Sequence, residues 1–542
     1  MEEVRKMEEE PKFFVRRTSG LVREFGLFDT FAFNVLGYAV GLVVMVTPLF
    51  VGGLFPGANI YLMLIIGSIL TAFNGITYGL LSTAMPRSGG EYIYNGRVLH
   101  PAIGFMSNWG FSWSQFLGIG IYAAWTTNYA LSTALTTLGY ITNNPTAIRW
   151  GELVATKVVT WGLGTIFLLS VALLLLVPTR WLRKFLSSGF IIATIGSAAT
   201  AVVFFMHSKE DFVAIFNDFM LKAKGLPDAY NSIIKIAIDL GYTVPKPSIV
   251  MTILSLSIGY WMYIGLTYSV YIGAEVKEPS KVQTPAILLS LLFGFIFYAL
   301  SFVGYYRVVG GELNDALGFL NLNHPEANPI PVPPVMGFFS GLLAGNVPMN
   351  VIIGVSFFLW HYLLLVVMST FCVRNIFAWS FDRIMPAKLT AVTRYGSPWA
   401  AAITVVVLAW TLMTLWLFTP YFTYVVNYIV IFSIAFWITS WAAILLPYRR
   451  KELFEAAPEI VRKKVFGVPL IVIAGILNMF LFTLVLISSF MLPAFSGPVG
   501  LGATLFVVGI YLSGIIIYYI AYAYRKTKGI DLNMLYKELP PE

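Results

Sequence analysis

Long apolar runs alternate with short polar segments along the whole chain, and their lengths predict membrane-spanning helices. An apolar helix of about 20 residues crosses the hydrocarbon core of a bilayer. The runs lack the ten-residue alternation of apolar and polar positions that marks a transmembrane β-barrel. Twelve spans are predicted, at residues 28–53, 59–84, 101–138, 153–177, 185–206, 248–273, 284–306, 349–381, 398–418, 421–446, 468–491 and 500–524.

The predicted spans divide the chain into an all-α polytopic membrane protein with two short tails, at 1–27 and 525–542. No apolar stretch precedes Phe28, so the N-terminal tail is not expected to be a signal peptide. The loop at residues 207–247 carries an amphipathic helical pattern formed by Phe212, Ile215, Phe216 and Phe219. The remaining segments are spans 1–5 (28–206), this loop (207–247), spans 6–10 (248–446) and spans 11–12 (447–524).

Composition and charge agree with a membrane protein and fix its expected orientation. Of the 542 residues, 11% are charged, against about 25% in soluble proteins. The single cysteine, Cys372, excludes a disulfide-stapled fold. With the N-terminus inside, 27 of the 35 Lys and Arg fall in cytoplasmic segments, which places both termini in the cytoplasm of a plasma-membrane protein. Contact with anionic lipid explains the net charge of +9, and no nucleic-acid partner is expected.

Catalytic chemistry is not indicated by the sequence. The four histidines, which are His100, His207, His324 and His361, lie far apart and lack metal-ligand spacing. No phosphate-binding loop or set of nucleophile, base and acid can be assembled. Every Lys and Arg is placed outside the span interiors, and Asp29, Glu275 and Asp382 are placed at cytoplasmic ends. These observations favour moving a molecule over transforming it, so we expect no enzyme, no cofactor and no metal.

Three polar segments carry a more specific signal. After span 2 the chain reads Met85-Pro86-Arg87-Ser88-Gly89-Gly90-Glu91-Tyr92. After span 6 it reads Gly273-Ala274-Glu275-Val276-Lys277-Glu278-Pro279 and continues to Pro285-Ala286-Ile287. At the end of span 8 it reads Arg374-Asn375-Ile376-Phe377-Ala378-Trp379-Ser380-Phe381-Asp382-Arg383. Taken singly, helix-stopping Pro and Gly and end-anchoring cations explain each segment. Together, in this order, they resemble the amino acid–polyamine–organocation (APC) superfamily of permeases.

The resemblance implies a LeuT-like fold with a 5+5 inverted repeat. Spans 1–5 and 6–10 would be the two repeats, with spans 11 and 12 appended. The first helix of each repeat, which is span 1 or span 6, is then broken near the bilayer midplane and leaves backbone groups free for a ligand.

Glycines lie at suitable depth in both helices. Span 1 contains Asn34-Val35-Leu36-Gly37-Tyr38-Ala39-Val40-Gly41, and here Tyr38 departs from the small serine of the family's G-S-G pattern. The centre of this break is therefore open between Gly37–Ala39 and Gly41, and close helix packing is the other interpretation of these glycines. Span 6 contains Trp261-Met262-Tyr263-Ile264-Gly265, which is similar to the family's W-x-[FY]-x-G. By that resemblance Trp261 covers the substrate as a gate, with Tyr263 as the alternative.

The two breaks predict a site for an α-amino acid. Its carboxylate is expected at the amides of Gly37–Ala39 and its ammonium at the carbonyls of Tyr260–Ile264, with Val35 and Leu36 adjoining. Since the spans offer no charged partner, neutral substrates are favoured over cationic or acidic ones. The predicted side-chain contacts are Asn108, Ser112, Gln115, Trp261 and Thr267.

Coupling of transport to an ion gradient would require a group that binds H⁺ or Na⁺. A lysine found in span 5 of some proton-coupled relatives is missing here. His361 is the candidate proton carrier because it titrates near neutral pH, with a structural histidine as the alternative. Ser369 and Thr370 are the candidates for binding Na⁺.

The predicted function is a secondary active transporter of neutral amino acids. The alternatives are a membrane receptor that senses an amino acid, a permease for polyamines or cationic amino acids, and an enzyme embedded in the membrane.

Overall fold

The computed structural model describes residues 23–419, 428–492 and 500–533, and most of them are helical. Ten helical stretches in this part of the chain are long and apolar enough to cross a membrane, and they match ten of the twelve predicted spans. The chain is therefore a multi-pass membrane protein. The ten stretches are Leu27–Leu54, Ile60–Ala84, Lys157–Leu176, Thr179–Met206, Pro279–Val308, Val347–Phe381, Trp399–Phe418, Tyr428–Arg449, Leu470–Met491 and Gly500–Lys526.

The first of these stretches consists of two helices, α1 (Leu27–Tyr38) and α2 (Val40–Leu54). Ala39 separates them and has the left-handed backbone angles φ 46° and ψ 63°. A residue with a β-carbon rarely adopts this conformation, so the surrounding structure must hold it in place. The interruption lies at Ala39, the last residue of the first of the two candidate centres, Gly37–Ala39.

Nine helices follow before the sixth predicted span. The predicted span 101–138 is one long helical stretch with a π-helical turn in its middle. The helix expected in the loop 207–247 is present as α10, with Phe212, Phe216 and Phe219 buried as its apolar face. The nine are α3 (Ile60–Ala84), α4 (Glu91–Val98), α5 (Pro101–Trp125), continued by the π-helical turn (Thr126–Leu131), α6 (Ser132–Ile141), α7 (Pro145–Val154), α8 (Lys157–Leu176), α9 (Thr179–Met206), α10 (Lys209–Lys224) and α11 (Ala229–Asp239).

The sixth predicted span is also interrupted. It begins as α12 (Ile249–Leu254) and α13 (Leu256–Trp261) and resumes as a 3₁₀ helix (Tyr268–Glu275). We call residues 262–267 the connecting turns. There the amide of Leu266 donates to the carbonyl of Tyr263, three residues back. The last hydrogen bond of the α-helical ladder is therefore the one from the Met262 amide to the Ile258 carbonyl.

The rest of the chain completes the bundle. Part of the tenth predicted span, 421–427, lies outside the described residues, as do residues 1–22 and 534–542 of the two tails. The elements are α14 (Pro279–Val308), α15 (Gly311–Asn323), a 3₁₀ turn (Pro325–Ala327), α16 (Met336–Ala344), α17 (Val347–Phe381), a 3₁₀ turn (Ala387–Thr390), α18 (Trp399–Phe418), α19 (Tyr428–Arg449), α20 (Lys451–Ala456), α21 (Glu459–Arg462), the antiparallel strands β1 (Lys464–Val465) and β2 (Val468–Pro469), α22 (Leu470–Met491) and α23 (Gly500–Lys526).

The two interrupted helices touch each other backbone to backbone. A β-carbon built on Gly265 would overlap the carbonyl group of Gly37, and one built on Gly37 would lie 2.9 Å from the Gly265 carbonyl oxygen. The ring of Tyr268 packs on Gly37 as well, and a β-carbon built on Gly37 would lie 2.8 Å from this ring. Glycine is therefore required sterically at both residues, and each interruption packs on the other.

This contact predicts that Gly265→Ala destabilises the folded protein, because the added methyl group meets backbone that cannot move aside. Overpacking of this kind costs about 1–3 kcal/mol. Gly162→Ala on α8 is the control, since a β-carbon there meets nothing within 4 Å. Thermal unfolding in detergent should show a lower midpoint for Gly265→Ala alone. Equal midpoints for the two variants would contradict the contact.

Candidate functional site

The interruption at Ala39 exposes the ends of two helices. The first amides of a helix and its last carbonyls have no partner within that helix. The Ala39 amide donates to the Leu36 carbonyl at 3.2 Å, and the amides of Gly37 and Tyr38 belong to α1. The helix-end amides are therefore those of Val40–Leu42, slightly later than the expected Gly37–Ala39.

The Tyr38 side chain points away from the interruption at Ala39, which explains how a bulky residue fits next to it. Its hydroxyl donates to the Ser290 carbonyl on α14 at 2.7 Å. Its ring packs beside those of Tyr263 and Tyr298. The Tyr38 side chain therefore extends past Tyr263 to α14 and leaves the contact between Gly37 and Gly265 unobstructed.

Gly41 has a packing role inside α2. A β-carbon on Gly41 would overlap the indole of Trp360, which donates to Ser197 on α9 at 2.7 Å. The backbone at Gly41 remains helical. The interruption is thus centred on Ala39, and Gly41 allows α17 to approach α2.

Trp261 and Tyr263, the two gate candidates, have different surroundings. The Trp261 ring lies 6.1 Å from that of Phe50 on α2 and against the Tyr122 hydroxyl on α5. The Tyr263 hydroxyl instead hydrogen-bonds to Ser68 on α3 at 2.8 Å. Trp261 therefore bridges α2 and α5 beyond the interruption, whereas Tyr263 packs into the side of the bundle.

The other span 6 candidates contribute in different ways. The Tyr260 ring faces α22, with its centroid 4.7 Å from that of Phe482. Ile264 and Gly265 belong to the connecting turns, so their backbones adjoin the interruption. The Thr267 hydroxyl is buried and makes no hydrogen bond to the described residues. Val35 and Leu36 lie buried in the last turns of α1.

The polar residues predicted on span 3 form a stripe along α5. Gln115 accepts a hydrogen bond from the Tyr268 hydroxyl at 2.6 Å, close to Gly37. Ser112 accepts one from Asn375 at 3.0 Å. Asn108, about 10 Å further along the helix axis from Gln115, donates to Glu91 at 2.9 Å. Only the Gln115 end of the stripe adjoins the interruptions, and the Asn108 end lies near the three motif segments.

The three motif segments contact one another at one end of the bundle, which we call the N-terminal face. Glu275 and Arg374 form a two-pronged ion pair, with N–O distances of 2.6 and 3.1 Å. The Tyr92 hydroxyl donates to Asp382 at 2.8 Å. The Ala274 amide donates to Ser88 at 3.1 Å. Segments that are distant in sequence are therefore tied together by the residues that make the motifs recognisable.

The chain before α1 closes over the same face. The amides of Glu24 and Phe25 donate to the Glu275 carbonyl, and the Lys277 amide donates to the Phe25 carbonyl. Asp29 on α1 pairs with Arg183 on α9 at 2.9 Å. The start of α1 and the 3₁₀ helix are thus held side by side.

Two buried charged groups correct the sequence analysis. Arg374 lies inside α17 with 4% of its side chain exposed, so the expectation that every Lys and Arg lies outside the span interiors is wrong at this residue. Its partner Glu275 is 1% exposed, which makes the arginine tolerable inside the bundle. Glu91, which the sequence analysis gave no role, is fully buried. The sequence feature that could have drawn attention to Glu91 is its position directly after Gly89-Gly90, at the start of α4.

The three candidates for ion coupling all lie buried on α17. The His361 Nδ1 atom hydrogen-bonds to the Phe357 carbonyl on the preceding turn at 2.8 Å. The Thr370 hydroxyl donates to the Val366 carbonyl at 2.6 Å. The Ser369 hydroxyl is buried and makes no hydrogen bond to the described residues.

A cavity of about 210 Å³ lies beside the C-terminal end of α2. Its lining includes Asp315 on α15 together with the aromatic rings of Tyr61 and Tyr306. Burial raises the pKa of the Asp315 carboxyl above its ordinary value, although a hydrogen bond from Asn314 lowers it. A carboxyl group beside aromatic rings is a suitable environment for an ammonium group.

Comparison with known protein families agrees with this arrangement. Residues 25–522 match the model of the amino acid permease family. The chain belongs to this family. The resemblance inferred from the three motif segments is confirmed, and members of the family are transporters of amino acids and not enzymes. The family match covers both interrupted helices and all three motif segments.

One curated relative is a viral protein of unstated function. A stretch of 79 residues, 15% of this chain, is 32% identical to "Uncharacterized protein 399" of Sulfolobus islandicus rod-shaped virus 1. The match spans 20% of that protein's length. It therefore adds nothing on activity to the family match.

The buried ion pair predicts an unequal response to the loss of single charges. Arg374→Met leaves the Glu275 carboxylate buried without its cation, which costs about 3–5 kcal/mol. Lys281→Met is the control, because Lys281 is 79% exposed and its pair with Glu278 is screened by solvent. Thermal unfolding should show a large drop for Arg374→Met and none for the control. The double variant Glu275→Gln/Arg374→Met should recover part of the loss, and no recovery would contradict the pairing.

Proposed function

We propose that the protein is a secondary active transporter of neutral amino acids in the plasma membrane, with both termini in the cytoplasm. It has twelve membrane-spanning helices and a LeuT-like 5+5 inverted repeat, in which the first and sixth spans are the broken helices. The N-terminal face is then the cytoplasmic face. Transport proceeds by alternating access, with the substrate held between the two interruptions.

The observation that carries this proposal is the contact between the two interruptions at Gly37 and Gly265. It brings the helix-end amides of Val40–Leu42 close to the carbonyl groups at the end of α1 and in the connecting turns. Amides at a helix N-terminus favour a carboxylate, and carbonyls at a C-terminus favour an ammonium group. An α-amino acid carries both groups on adjacent atoms, so it suits such a pair of helix ends.

The surroundings of the two interruptions support a neutral side chain on the substrate. None of the residues in α2, α5 or α13 is Asp, Glu, Lys or Arg. Trp261, Tyr122 and Tyr268 supply aromatic surface there, and Gln115 supplies an amide. A charged substrate side chain would be desolvated at this point without an opposite charge, which is costly. Apolar or aromatic amino acids meet no such penalty.

The contacts on the N-terminal face support a closed cytoplasmic pathway. The Glu275–Arg374 pair and the backbone pairing of Phe25 with Glu275 hold the 3₁₀ helix and the start of α1 in place. Release of substrate into the cytoplasm requires these contacts to separate. Transport therefore alternates between an arrangement with the contacts made and one with them broken.

Ion coupling, to H⁺ or Na⁺, or exchange of one amino acid for another supplies the driving force. His361, Ser369 and Thr370 remain candidates for the coupling site on α17. A sensing receptor with the same fold is the alternative from another class, and it would bind the amino acid without moving it.

A cationic substrate is the second candidate, and the observation that favours it is the cavity containing Asp315. Its carboxyl group and the rings of Tyr61 and Tyr306 can attract an ammonium group at the end of α2. This cavity lies at the outer end of α2 in the proposed orientation, away from the interruptions. We therefore place neutral substrates first.

The proposal predicts that purified protein in liposomes accumulates unmodified radiolabelled leucine-like or aromatic amino acids. Unlabelled neutral amino acids should compete with the label, and lysine, arginine and polyamines should compete weakly. Stronger competition by cations would favour the second candidate. Saturable binding without accumulation would favour the receptor, and chemical change of the label would contradict a permease.

The different surroundings of Trp261 and Tyr263 predict different effects on transport. Trp261→Ala removes the ring that bridges α2 and α5, so uptake should fall by about tenfold or more, as for an aromatic anchor at a binding site. Tyr263→Phe removes only the hydrogen bond to Ser68 and should retain most uptake. Initial rates of uptake at matched reconstitution levels make the comparison. The reverse order of the two effects would assign the gate to Tyr263.

A further inference from the structure

Glu91 is a buried acid that the transport site does not use. It occupies the first turn of α4, between two candidate spans, and none of its surface is exposed. The Tyr271 hydroxyl donates to one of its carboxyl oxygens at 2.6 Å, and Asn108 donates to the other at 2.9 Å. Buried carboxyl groups in membrane proteins are costly and are typically functional.

The local backbone is shaped to bring Glu91 against the 3₁₀ helix. Gly90 has a φ of +52°, and a β-carbon there would overlap the ring of Tyr271. The preceding Ser88 accepts a hydrogen bond from the Ala274 amide. Gly90 therefore allows the acid to approach the 3₁₀ helix, which moves in the proposed cycle when the cytoplasmic pathway opens.

Four phenol groups interact electrostatically with Glu91. They come from four elements around the carboxyl group: Tyr78 of α3, Tyr94 of α4, Tyr271 of the 3₁₀ helix and Tyr511 of α23. On α5 the contact is the neutral Asn108, which in turn accepts a hydrogen bond from Trp379 of α17. The charged groups near this region include Arg97 on α4, Asp382, which Tyr92 contacts, and the Glu275–Arg374 pair at the far end of the 3₁₀ helix.

Burial has a direct effect on the acidity of this group. It raises the pKa of the Glu91 carboxyl to about 7, although hydrogen bonds from Tyr271, from its own amide and from Asn108 lower it. The carboxyl group therefore changes charge within the physiological pH range, in the closed arrangement described above.

We propose that Glu91 is the proton-binding site that couples transport to a proton gradient. This inference rests on the proposed transport function and makes the coupling ion H⁺. The carboxylate takes up one proton to become a neutral acid, which suits the buried position between α4 and the 3₁₀ helix. Loss of that proton leaves a charge that favours arrangements in which water reaches it. Proton release thereby favours opening of the N-terminal face and release of the substrate into the cytoplasm.

The polar stripe on α5 links this group to the substrate site. Gln115 lies beside Tyr268 at the interruptions, and Asn108 lies beside Glu91 two turns away. Tyr268 and Tyr271 are one turn apart on the same 3₁₀ helix, with ring centroids 6.3 Å apart. A displacement of this helix that follows substrate binding therefore also changes the surroundings of Glu91.

The experiment measures two activities of the full-length protein in the same liposomes. The first is exchange of internal unlabelled for external labelled leucine with equal pH on both sides, which needs no net proton movement. The second is accumulation driven by an imposed inward proton gradient. In Glu91→Gln the ratio of driven accumulation to exchange should collapse to that seen without a gradient. The control, Glu278→Gln at an exposed acid, should keep the wild-type ratio. His361→Gln tests the rival coupling site on α17, and a proton site at Glu91 predicts that this variant also remains coupled.

The conservative variant Tyr271→Phe tests the assignment from another direction. It removes a hydrogen bond that stabilises the charged carboxylate, so the pKa of Glu91 should rise. The midpoint of the pH profile of driven uptake should therefore move upward by about 1–2 units, the size expected for one hydrogen bond to a charged group. An unchanged midpoint, or loss of coupling in His361→Gln with retention in Glu91→Gln, would overturn the proposal.

Thermal unfolding in detergent separates failure of this inference from failure of the transport function. Because the folded state raises the pKa of Glu91, its contribution to stability is present in full below about pH 4.5 and is lost as pH rises to about 7. Wild-type protein should therefore lose more thermal stability between pH 5 and 8 than Glu91→Gln does. Parallel curves would overturn the proton site, even in a protein that transports. Diverging curves in a protein without exchange would overturn the transport function alone.

Discussion

The structure depends on the close contact between Gly37 and Gly265. Two helices that stop in the middle of an apolar bundle expose polar backbone groups where no water is available, and those groups must find partners. Bringing both interruptions to one point groups the exposed helix ends together, and only residues without a β-carbon allow the backbones to approach so closely. The left-handed conformation of Ala39 and the outward rotation of Tyr38 both accompany this approach. The proposed site for a small zwitterion rests on this grouping of helix ends.

The same contact links the centre of the molecule to its N-terminal face. The 3₁₀ helix begins at Tyr268, whose ring lies over Gly37, and ends at Glu275, which pairs with Arg374. Between them the Ser269 amide donates to Asn34 in the second half of α1 at 2.9 Å, so this part of α1 is also joined to the 3₁₀ helix. In the proposed transport cycle, movement at the interruptions is transmitted to the N-terminal face through these contacts. The polar stripe on α5 and Glu91 both contact the 3₁₀ helix, so a displacement of that helix would change the surroundings of both.

Sequence reasoning predicted the membrane architecture well because apolar run length is a local property. Ten predicted spans correspond to long apolar helices, and the family resemblance came from three short segments that do touch one another. The exact residue of the first interruption was not predictable, since it depends on packing against Gly265, more than two hundred residues away. Glu91 was overlooked for a similar reason. It stands in a polar segment between Arg87 and Arg97, and its burial arises from distant helices that close over it. Arg374 was taken for an end-anchoring cation because its partner, Glu275, lies on another helix.

The central claim is that two helix ends bind the carboxylate and the ammonium group of one amino acid. The most direct measurement compares equilibrium binding of leucine to the purified protein with binding of leucinol, which lacks the carboxylate, and N-acetylleucine, which lacks the ammonium group. All three share one side chain, so only the backbone charges differ. The account predicts that leucine binds and that both analogues bind far more weakly. Comparable binding of either analogue would contradict it, because one of the two helix ends would then have no part in holding the substrate.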